Sequence, residues 1–407
     1  MIAIVGAGAA GLATAIFAVR RGASGRIVLF EGATKPGAKI LVSGGARCNV
    51  TNSVVTERDF SGSPHHLIKR VLRAYGVEET VAFFREIGVP LHEEEHGKLF
   101  PDANKSRVVL EALLAESERR GVELRAGERV LGLESGTDGY RLRTSSGEHT
   151  ASRVVLATGG LSLPKTGSDG LGLEIARGFG HSVVPTTPAL VPFVLSGSFH
   201  AAISGVALEV ELIVRAAGRR LDRRTGSLLF THFGVSGPVV LDVSRAFLRA
   251  RLEGDSPTLE ANLLPSRDAH SVDKELVGAA ARIPRTLVAR MLGRWLPQSL
   301  AQALAADAGC ADVTLGRLTR EQRLRLVRGL VARELPVSES RGYSFAEATA
   351  GGVPLAEVDT RTMESKLRRG LVLVGEMLDV DGRIGGFNFQ WAWSSAWVAA
   401  GGLARPL

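Results

Sequence analysis

Residues 2–31 constrain the fold of this chain more than any other stretch, because four structural signals follow one another there without interruption. A short apolar run, residues 2–5, leads directly into the glycine-rich residues 6–11, and a helical pattern then continues to about residue 21. A second apolar run, residues 27–30, ends at Glu31, twenty residues after Gly11. This order predicts a parallel βαβ unit whose glycine-rich turn joins the first strand to the helix.

The glycine spacing has a mechanical reason at each position. Gly6 allows the tight turn, Gly8 lets a pyrophosphate approach the backbone, and Gly11 lets the helix pack closely on the strand. The helix N-terminus, with Ala10 in its first turn, offers unpaired N–H groups and a partial positive charge to phosphates. Glu31 can accept a hydrogen bond from a ribose hydroxyl and would repel a 2′-phosphate, which disfavours NADP. The stretch predicts a dinucleotide site in preference to an ordinary glycine-rich turn, and it leaves FAD and NAD as alternatives.

The composition limits the class of protein. A chain of 407 residues with 45% hydrophobic content is long enough for two or three domains. No window approaches the roughly 18 uninterrupted apolar residues of a membrane helix, and the first strand begins at the N-terminus, so we expect neither a membrane span nor a signal peptide. The two cysteines, Cys48 and Cys310, form no CxxC pair. This favours the cytoplasm and argues against a flavin disulfide reductase; no metal site is predicted.

The net charge of +8 and the isoelectric point near 9.9 raise the question of a nucleic-acid partner. Two arginine clusters stand out, one within residues 215–224 and one within residues 317–333. The second falls on a helical pattern with interspersed glutamates, which is typical of a solvated helix face. Because charge alone indicates non-specific attraction, we expect a small-molecule substrate and disfavour nucleic acid. The oligomeric state is left open.

The order of secondary-structure signals predicts an α/β chain with an insertion. Strand and helix signals alternate over the first 160 residues or so, and the predicted strand of residues 152–156 runs into Ala157, Thr158 and Gly159. Small residues at a strand end let a cofactor approach the backbone. A β-rich stretch and a helical stretch follow before α/β character returns near Tyr343. We therefore predict a Rossmann-like nucleotide-binding domain from residues 1–189 and 341–407, an inserted β-rich substrate domain at 190–265 completed by 334–340, and a helical domain at 266–333.

The C-terminal segment distinguishes the two dinucleotides. A predicted strand, residues 371–374, delivers Gly375 and Glu376 to the carboxyl edge of the sheet, and Asp379 follows where it can hold ribityl hydroxyls. Residues 385–386 are glycines that precede the last predicted helix, whose N-terminus would aim N–H donors at a flavin. FAD is long enough to need both ends of such a domain, whereas NAD is not. The sequence therefore predicts FAD.

A glycine-rich segment, residues 35–52, provides a third predicted contact with the cofactor. It follows closely after Glu31 and carries two lysines, one arginine and many short polar side chains. Such a loop can wrap a phosphate and a ribityl chain with backbone N–H groups and with Arg47. A polar surface loop is the alternative, which the position beside the glycine-rich turn disfavours.

Six segments together resemble the BaiN-like, YhiN-type flavoproteins, a family of NAD(P)/FAD-dependent oxidoreductases. They are GAGAAGL (6–12, with Glu31), GAKILVSGGARCNVTN (37–52), HGKLFP (96–101), ATGGLSLPKTGSDGLG (157–172), LLFTHFGVSGPVVL (228–241) and TMESKLRRGLVLVGEMLDVDGRIGGFNFQWAWSSAWVAAG (362–401). The resemblance runs nearly end to end and is weakest over residues 255–335. It implies a two-dinucleotide-binding-domain flavoprotein fold with FAD extended through the core, an inserted barrel-like β domain and a helical domain over the flavin.

The resemblance, together with the residues singled out above, predicts three groups of cofactor-binding residues. For the ADP half they are Gly6, Gly8, Ala10, Gly11, Glu31 and the backbone of Val130. For the central part they are Lys39, Ser43, Gly44, Arg47, Cys48, Asn49, Ala157, Thr158 and Gly159. For the flavin end they are Gly375, Glu376, Asp379, Gly385, Gly386, Phe387 and Asn388. Two positions depart from the family pattern, Ala46 and Ala396, where the family usually or often has glycine.

His232 and Tyr343 are the candidate catalytic residues, since each could reach the flavin and move a proton. His232 lies beside a glycine-rich turn and can equally cap a backbone group. Cys48 has no partner cysteine, so packing is favoured over a redox role. Three tryptophans on the last predicted helix fit core packing first and shielding of the flavin from water second.

These features predict an FAD-dependent oxidoreductase that passes a hydride between flavin N5 and a small or medium organic substrate of the amine or enone type. The middle of the chain holds no second complete GxGxxG, so NAD(P)H, as a transient reductant, would share the open flavin face. This favours an oxidase or dehydrogenase over a reductase. Two alternatives remain: an FAD-dependent RNA-modifying enzyme, and a non-catalytic flavin-binding redox sensor.

Overall fold

The chain begins with the βαβ unit that its first 31 residues predict. The computed structural model describes residues 1–136 and 139–406. The unit consists of β1 (Ile2–Val5), α1 (Ala9–Arg20) and β2 (Ile27–Glu31). The two strands pair in parallel over four residues of each, and every apolar residue of both is buried. Continuous apolar runs of this kind are typical of parallel strands covered on both faces.

Helices alternate with short strands over the rest of the N-terminal part. The helices are α2 (Ala38–Ala46), α3 (His65–Ala74), α4 (Val77–Glu86), α5 (Ser106–Arg119) and α6 (Leu171–Gly178). The strands are β3 (Thr51–Asn52), β4 (Phe60–Gly62), β5 (Leu91–Glu94), β6 (Lys98–Pro101), β7 (Glu123–Ala126), β8 (Val130–Gly136), β9 (Gly139–Thr144), β10 (Gly147–Ala151), β11 (Arg153–Leu156) and β12 (Val184–Ala189). Helices α3 and α4 are separated at Gly76, whose N–H donates to the Glu79 carboxylate at 2.9 Å and caps α4.

The middle of the chain carries longer antiparallel strands followed by a run of helices. The helices are α7 (Phe199–Ala202), α8 (Pro238–Leu252), α9 (Ala269–Arg282), α10 (Val288–Leu292), α11 (Gln298–Asp307) and α12 (Arg320–Val331). The strands are β13 (Phe193–Leu195), β14 (Ala207–Ala216), β15 (Arg219–Thr231), β16 (Gly234–Ser236), β17 (Thr258–Asn262), β18 (Arg333–Leu335) and β19 (Val337–Ser340).

The C-terminal part returns to short strands and ends on one long helix. Its elements are β20 (Ala348–Gly352), β21 (Val358–Asp359), β22 (Glu364–Ser365), β23 (Leu371–Leu373), β24 (Val380–Gly382) and α13 (Phe387–Leu403).

The elements form two compact units, the first from residues 1–187 together with the chain from residue 346 onward, the second from residues 188–345. The main sheet of the first unit has the order β21-β22-β23-β11-β1-β2-β7. Strands β23, β11, β1, β2 and β7 are parallel, and β22 and β21 add an antiparallel edge. Because β23 pairs with β11, both ends of the chain contribute to one sheet.

Helix α13 lies in the core of the first unit. Twelve of its 17 residues are buried, and it packs on α1 and α3. The indole N–H of Trp391 donates to the carbonyl of Gly375 at 3.1 Å, and that of Trp393 donates to the carbonyl of Val50 at 2.9 Å. A helix that is apolar on all sides is a core helix, and these two tryptophans bind it to its neighbours.

The second unit is built on a seven-stranded sheet of order β18-β17-β14-β15-β16-β13-β19, in which all the described pairings are antiparallel. Strands β18 and β19, which follow the helical stretch in sequence, return to both edges of this sheet. Helix α8 packs on β14 and β15. The predicted division of this region into a β-rich and a helical domain stays a prediction.

Among the described residues, no helix is both long enough and apolar enough to cross a membrane.

Candidate functional site

The glycine-rich turn between β1 and α1 has the geometry that its spacing predicts. Gly6 has φ +102°, and a Cβ there would lie 2.6 Å from the carbonyl oxygen of Ala157. A Cβ on Gly11 would lie 1.8 Å from the carbonyl oxygen of Gly6. A Cβ on Gly8, by contrast, would meet nothing within 4 Å. Gly6 and Gly11 are therefore required by packing, whereas Gly8 keeps the surface in front of the helix open.

Helix α1 presents its first N–H groups to this open surface. Gly8 is the N-cap and provides no side-chain cap, so the amides of the first turn stay available to a ligand. Their partial positive charge favours an anionic group such as a pyrophosphate.

Glu31 is held in place by the backbone on both sides of the turn. One carboxylate oxygen accepts from the Ala7 N–H at 2.9 Å and the other accepts from the Ala33 N–H at 2.9 Å. A carboxylate has about four acceptor sites, so these two bonds fix the side chain and leave room for ribose hydroxyls.

These residues border a cavity of about 460 Å³ in the first unit. Its wall includes residues at the carboxyl ends of four adjacent parallel strands: Gly6 after β1, Glu31 of β2, Ala157 after β11 and Gly375 after β23. Three strand spacings correspond to about 14 Å. The carboxyl edge of a parallel sheet is where open α/β folds bind their ligands.

Thirteen of the predicted cofactor-binding residues line this cavity: Gly6, Gly8, Ala10, Glu31, Lys39, Ser43, Val130, Ala157, Thr158, Gly159, Gly375, Glu376 and Asn388. The described lining lacks the other nine: Gly11, Gly44, Arg47, Cys48, Asn49, Asp379, Gly385, Gly386 and Phe387. Gly11 lies behind the turn, and Cys48 and Phe387 are buried in the core. Arg47 pairs with Glu94 at 2.7 Å, with its guanidinium carbon 4.0 Å from the centre of the Phe100 ring. For both groups of residues, contact with a cofactor stays a prediction.

The segment from Ser43 to Cys48 has an unusual backbone. Gly44, Gly45 and Ala46 follow one another at φ 54°, 67° and 64°, and Cys48 has φ 63°. The sequence predicts this segment as a loop. The structure instead forms helix α2 here, and the left-handed run interrupts that helix. Glycine adopts such angles without a steric cost, but alanine does not. Ala46 is therefore a strained residue three positions after Ser43, which lines the cavity.

A partly buried polar cluster borders the cavity near the end of β23. The Lys39 ammonium donates to Glu376 Oε2 at 2.7 Å and to Ser162 Oγ at 2.8 Å. Glu376 Oε1 accepts from Ser162 Oγ at 2.6 Å and from the Thr349 N–H at 2.9 Å. Burial by itself would raise the pKa of Glu376, but the charge of Lys39 and these hydrogen bonds hold that pKa below its ordinary value. The cluster is thus an ionised carboxylate and an ammonium fixed on the cavity wall.

The turn before α13 is held by two asparagines. Asn388, which lines the cavity, accepts from the Gly382 N–H at 2.8 Å and donates to the Gly382 carbonyl at 3.0 Å. Asn52 donates to the carbonyls of Gly385 at 3.1 Å and His96 at 3.0 Å. The N-terminus of α13 is consequently fixed beside the cavity.

Cys48 is fully buried, and burial raises the pKa of its thiol to about 12, a rise that the hydrogen bond with Ser43 opposes. A thiol with this pKa stays protonated at neutral pH and is a poor nucleophile. The geometry agrees with a packing role for Cys48.

His232 and Tyr343 both belong to the second unit. His232 is exposed, with its ring edge-on to Phe233 at a centroid distance of 5.1 Å. Tyr343 is partly buried at the start of a short 3₁₀ turn. Their role in catalysis stays a prediction.

Sequence reasoning missed part of the cavity wall. Leu163 and the residues that follow it to Asp169 line the cavity, as do Arg129 and Phe389. Residues 163–169 directly follow the small residues after β11, and that position was a usable signal. Ser162 and Thr349 are 187 residues apart, and nothing local in the sequence connects them with Glu376.

With this geometry established, comparison with known proteins identifies the family. The protein-family model of the HI0933-like protein Rossmann domain matches residues 1–402 of this chain. The chain belongs to this family. The predicted resemblance to the BaiN-like, YhiN-type proteins is confirmed, because a 3-dehydro-bile acid delta(4,6)-reductase from Clostridium scindens is 31% identical over 100% of this chain and 99% of that protein.

A second relative carries a different name. A ribosomal RNA dihydrouridine synthase from Haemophilus influenzae is 34% identical over 99% of this chain and 98% of that protein. Both relatives are named for enzymatic reactions, and the prediction that this member of the family is an enzyme is confirmed.

Among solved structures, a 3-ketosteroid delta1-dehydrogenase from Sterolibacterium denitrificans superposes with a TM-score of 0.51. The match covers 99% of both chains at 14% sequence identity. At this identity the likeness concerns the fold alone. The predicted α/β class with a flavoprotein-type Rossmann domain is confirmed by this match and by the family.

Proposed function

We propose that this chain is an FAD-dependent oxidoreductase that reduces a carbon–carbon double bond conjugated to a carbonyl group. The observation that carries the proposal is the cavity along the carboxyl ends of β2, β1, β11 and β23. A site that spans four strand ends suits an extended dinucleotide, and both ends of the chain supply its walls.

The residues of the cavity fit FAD. Gly8 leaves open space in front of the uncapped N-terminus of α1, where a pyrophosphate would be stabilised. Glu31 is oriented by two backbone amides and keeps free acceptor capacity for a ribose. Lys39 adds a positive charge on the wall nearer to Gly375.

The reductive direction comes from the relatives' names. Conversion of uridine to dihydrouridine and reduction of a 4,6-diene beside a 3-oxo group belong to one reaction class. In both, a hydride adds to an electrophilic carbon of the conjugated system and a proton adds to its neighbour. The hydride acceptor is the carbon β to the carbonyl or, for the second double bond of a dienone, the δ carbon. Bound FAD, reduced by NAD(P)H, would supply the hydride. We therefore propose reduction in place of the oxidase or dehydrogenase direction that the missing second GxGxxG favours.

The protein's own contribution would be binding and orientation. Glu31 and the α1 N-terminus would fix one end of the cofactor, and Lys39 with Glu376 and Ser162 would fix the wall at the other end. A preorganised, partly buried charge pair costs little reorganisation during a reaction. We further propose a cytoplasmic location, in agreement with the two free, buried cysteines.

Anaerobic rapid-mixing spectroscopy tests the proposal. The purified protein should show a flavin spectrum, NADH or NADPH should bleach it, and a conjugated steroid dienone or uridine-containing RNA should restore it. A protein that stays colourless with excess FAD would contradict the cofactor. A flavin that amines reduce and NAD(P)H does not would contradict the direction.

A second candidate, reduction of uracil within RNA, is favoured by the 34% identical relative and by the net charge of +8. It keeps the same chemistry and changes only the molecule that carries the conjugated carbonyl. Incubation of the reduced protein with ribosomal RNA, followed by mass spectrometry of the nucleosides for a gain of two hydrogens in uridine, would distinguish it from a small-molecule reductase.

A further inference from the structure

The positive charge of this chain is concentrated in the second unit. Residues 188–345 hold 21 lysines and arginines and 15 aspartates and glutamates, so this unit contributes +6 of the net +8. The first unit, with the proposed cofactor cavity, contributes only the remaining +2. The excess charge therefore cannot be explained by binding of the cofactor phosphates.

Part of this excess lies at the tip of one β-hairpin, formed by the distal ends of β14 and β15 and here called the basic hairpin (residues 215–224). The two strands pair from Ala207 opposite Leu229 out to Ala216 opposite Arg219. A two-residue turn joins them, with Ala217 at φ 47° and Gly218 at φ 73°. Such turns match the strand twist and hold a hairpin rigidly.

Five arginines lie on the basic hairpin, and only two of them have acidic partners in the described structure. Arg223 pairs with Glu211 at 2.6 Å, and Arg224 pairs with Asp222 at 3.0 Å. Arg215, Arg219 and Arg220 are exposed. Among the described contacts, the side chains of these three have neither an ion pair nor a hydrogen bond.

The strand register places two of these arginines directly opposite each other. Arg215 of β14 faces Arg220 of β15 across the ladder, an arrangement that is destabilising for like charges unless an anion lies between or over them. The nearest acids of the same sheet face, Glu211 and Glu260, belong to registers nearer the base of the hairpin. The tip therefore carries a local electrostatic cost that an external anion would relieve.

Protection of a sheet edge explains only part of this pattern. The pairing of β15 with β16 covers only Leu229–Thr231, so the distal part of β15 forms an edge, and charges there oppose strand-to-strand aggregation. Arg215 does not lie on that edge. It lies on β14, between its cross-strand neighbours Arg220 and Thr258.

We propose that the basic hairpin is a docking surface for the phosphate backbone of an RNA. The guanidinium groups of Arg215, Arg219 and Arg220 match phosphate geometry with two parallel hydrogen bonds each. The inference rests on the proposed function in its RNA form, since a uracil ring in RNA carries the conjugated carbonyl. It adds the surface that holds the nucleic acid.

The test measures binding of a fluorescein-labelled, uridine-rich single-stranded RNA by fluorescence anisotropy in a salt series. Each phosphate contact contributes about 0.7 to the slope of log affinity against log salt for single strands. The variant R215Q/R219Q/R220Q should therefore lose about 2 units of slope and bind on the order of 10-fold more weakly or worse near 0.1 M salt. The variant R215K/R219K/R220K should keep most of the slope, because it keeps the charge.

The matched control is R282Q/R285Q/R290Q, which removes three exposed charges from the same unit. The control should bind as the wild type does. Equal losses in both triple-glutamine variants would show diffuse attraction and overturn the proposal, as would a wild type that does not bind near physiological salt. Size-exclusion chromatography shows whether the hairpin variant aggregates; aggregation with unchanged RNA affinity would also overturn it.

The outcome is separable from that of the proposed function. Binding needs no turnover, and bleaching of the flavin by NAD(P)H needs no RNA. A wild type that reduces its flavin and a steroid dienone but binds no RNA would remove the docking surface and leave the reductase. A protein that binds RNA through the hairpin but takes up no FAD would remove the reductase and leave the docking surface.

Discussion

Gly8 is the N-cap of α1 and Gly11 lies three residues later, in the first turn of that helix, and the structure gives them different physical roles. Gly11 touches the backbone, since its Cβ would overlap the Gly6 carbonyl oxygen at 1.8 Å. Gly8 touches nothing, since its Cβ would point into open space. A methyl group added at Gly11 would therefore disturb packing, whereas one added at Gly8 would only occupy space that is open to a ligand.

We expect Gly8→Ala to leave the stability of the cofactor-free protein nearly unchanged and to weaken FAD binding by on the order of 10-fold, because the methyl group occupies the space of the pyrophosphate. Gly11→Ala should destabilise the protein by about 1–3 kcal/mol or more through overpacking. Thermal unfolding of the cofactor-free proteins and FAD titration by flavin fluorescence measure the two effects. If Gly8→Ala bound FAD as tightly as the wild type does, the pyrophosphate would not lie at this turn, and the prediction would be wrong.

At Ala46 we expect a substitution to raise the stability of the protein, whereas Gly11→Ala lowers it. Its φ of 64° is strained for alanine and relaxed for glycine, so Ala46→Gly should stabilise the protein by about 0.5–1 kcal/mol despite the greater freedom of the unfolded chain. The control is Ala306→Gly at an exposed position of α11, which should destabilise by about 1 kcal/mol. Urea unfolding of the two variants in parallel gives the comparison; a loss of stability in both would show that Ala46 is not strained.

At the level of elements, a buried carboxylate joins helices α1 and α5. Glu116 of α5 accepts from Arg20 of α1 at 3.0 Å. It also accepts from Arg119 at the end of its own helix at 2.8 Å and from the C-cap residue Arg120 at 2.9 Å. Burial opposes ionisation, but the hydrogen bonds from the three guanidinium groups overcome it and lower the pKa of Glu116 to about 2. The carboxylate is therefore ionised in the folded protein at any pH above that value.

The lowered pKa sets the pH dependence of Glu116→Gln. The stabilisation by the ionised carboxylate is complete above the ordinary pKa near 4.5 and disappears as the pH falls toward 2. We expect Glu116→Gln to cost about 3 kcal/mol at pH 7 and progressively less below pH 4.5. The control Glu86→Gln, which removes the exposed partner of Arg20, should cost at most about 1 kcal/mol. Urea unfolding from pH 3 to 7 checks this; a cost for Glu116→Gln that does not change with pH would contradict it.

At the scale of the whole molecule, the first unit cannot form from the N-terminal part of the chain alone. Strand β23 covers one side of β11, and α13 fills the core against α1. The Lys39 ammonium also finds its carboxylate 337 residues later, at Glu376. The cavity is therefore a product of the complete chain.

A chain that ends at residue 345 should fail to fold its first unit and should bind no FAD, because it exposes the apolar partners of α13 and an edge of β11. A chain that lacks only residues 406–407 should behave as the full chain does, since Pro406 is exposed. Soluble yield, circular dichroism and flavin content of the two truncations measure the difference. A folded, FAD-binding protein of 345 residues would refute this account of the cofactor site.

The sequence determined the features that depend on near neighbours. The βαβ unit, the roles of Gly6 and Gly11, the small residues after β11 and the approach of Gly375 to the sheet edge all follow from local spacing. Periodicity and glycine placement are local properties, so the chain reveals them directly. The family resemblance extended this to the residues that face one cavity from both ends of the chain.

Tertiary structure alone decided the contacts between distant residues. Ser162 and Thr349 join Lys39 and Glu376 in one cluster because β11, β23 and the segments beside them meet in the fold. Arg215 and Arg220 become opposed only through the register of the hairpin, and Glu116 becomes strongly acidic only where α1 packs on α5. A sequence specifies which groups are present, whereas pairing and desolvation depend on distances that exist only in the folded chain.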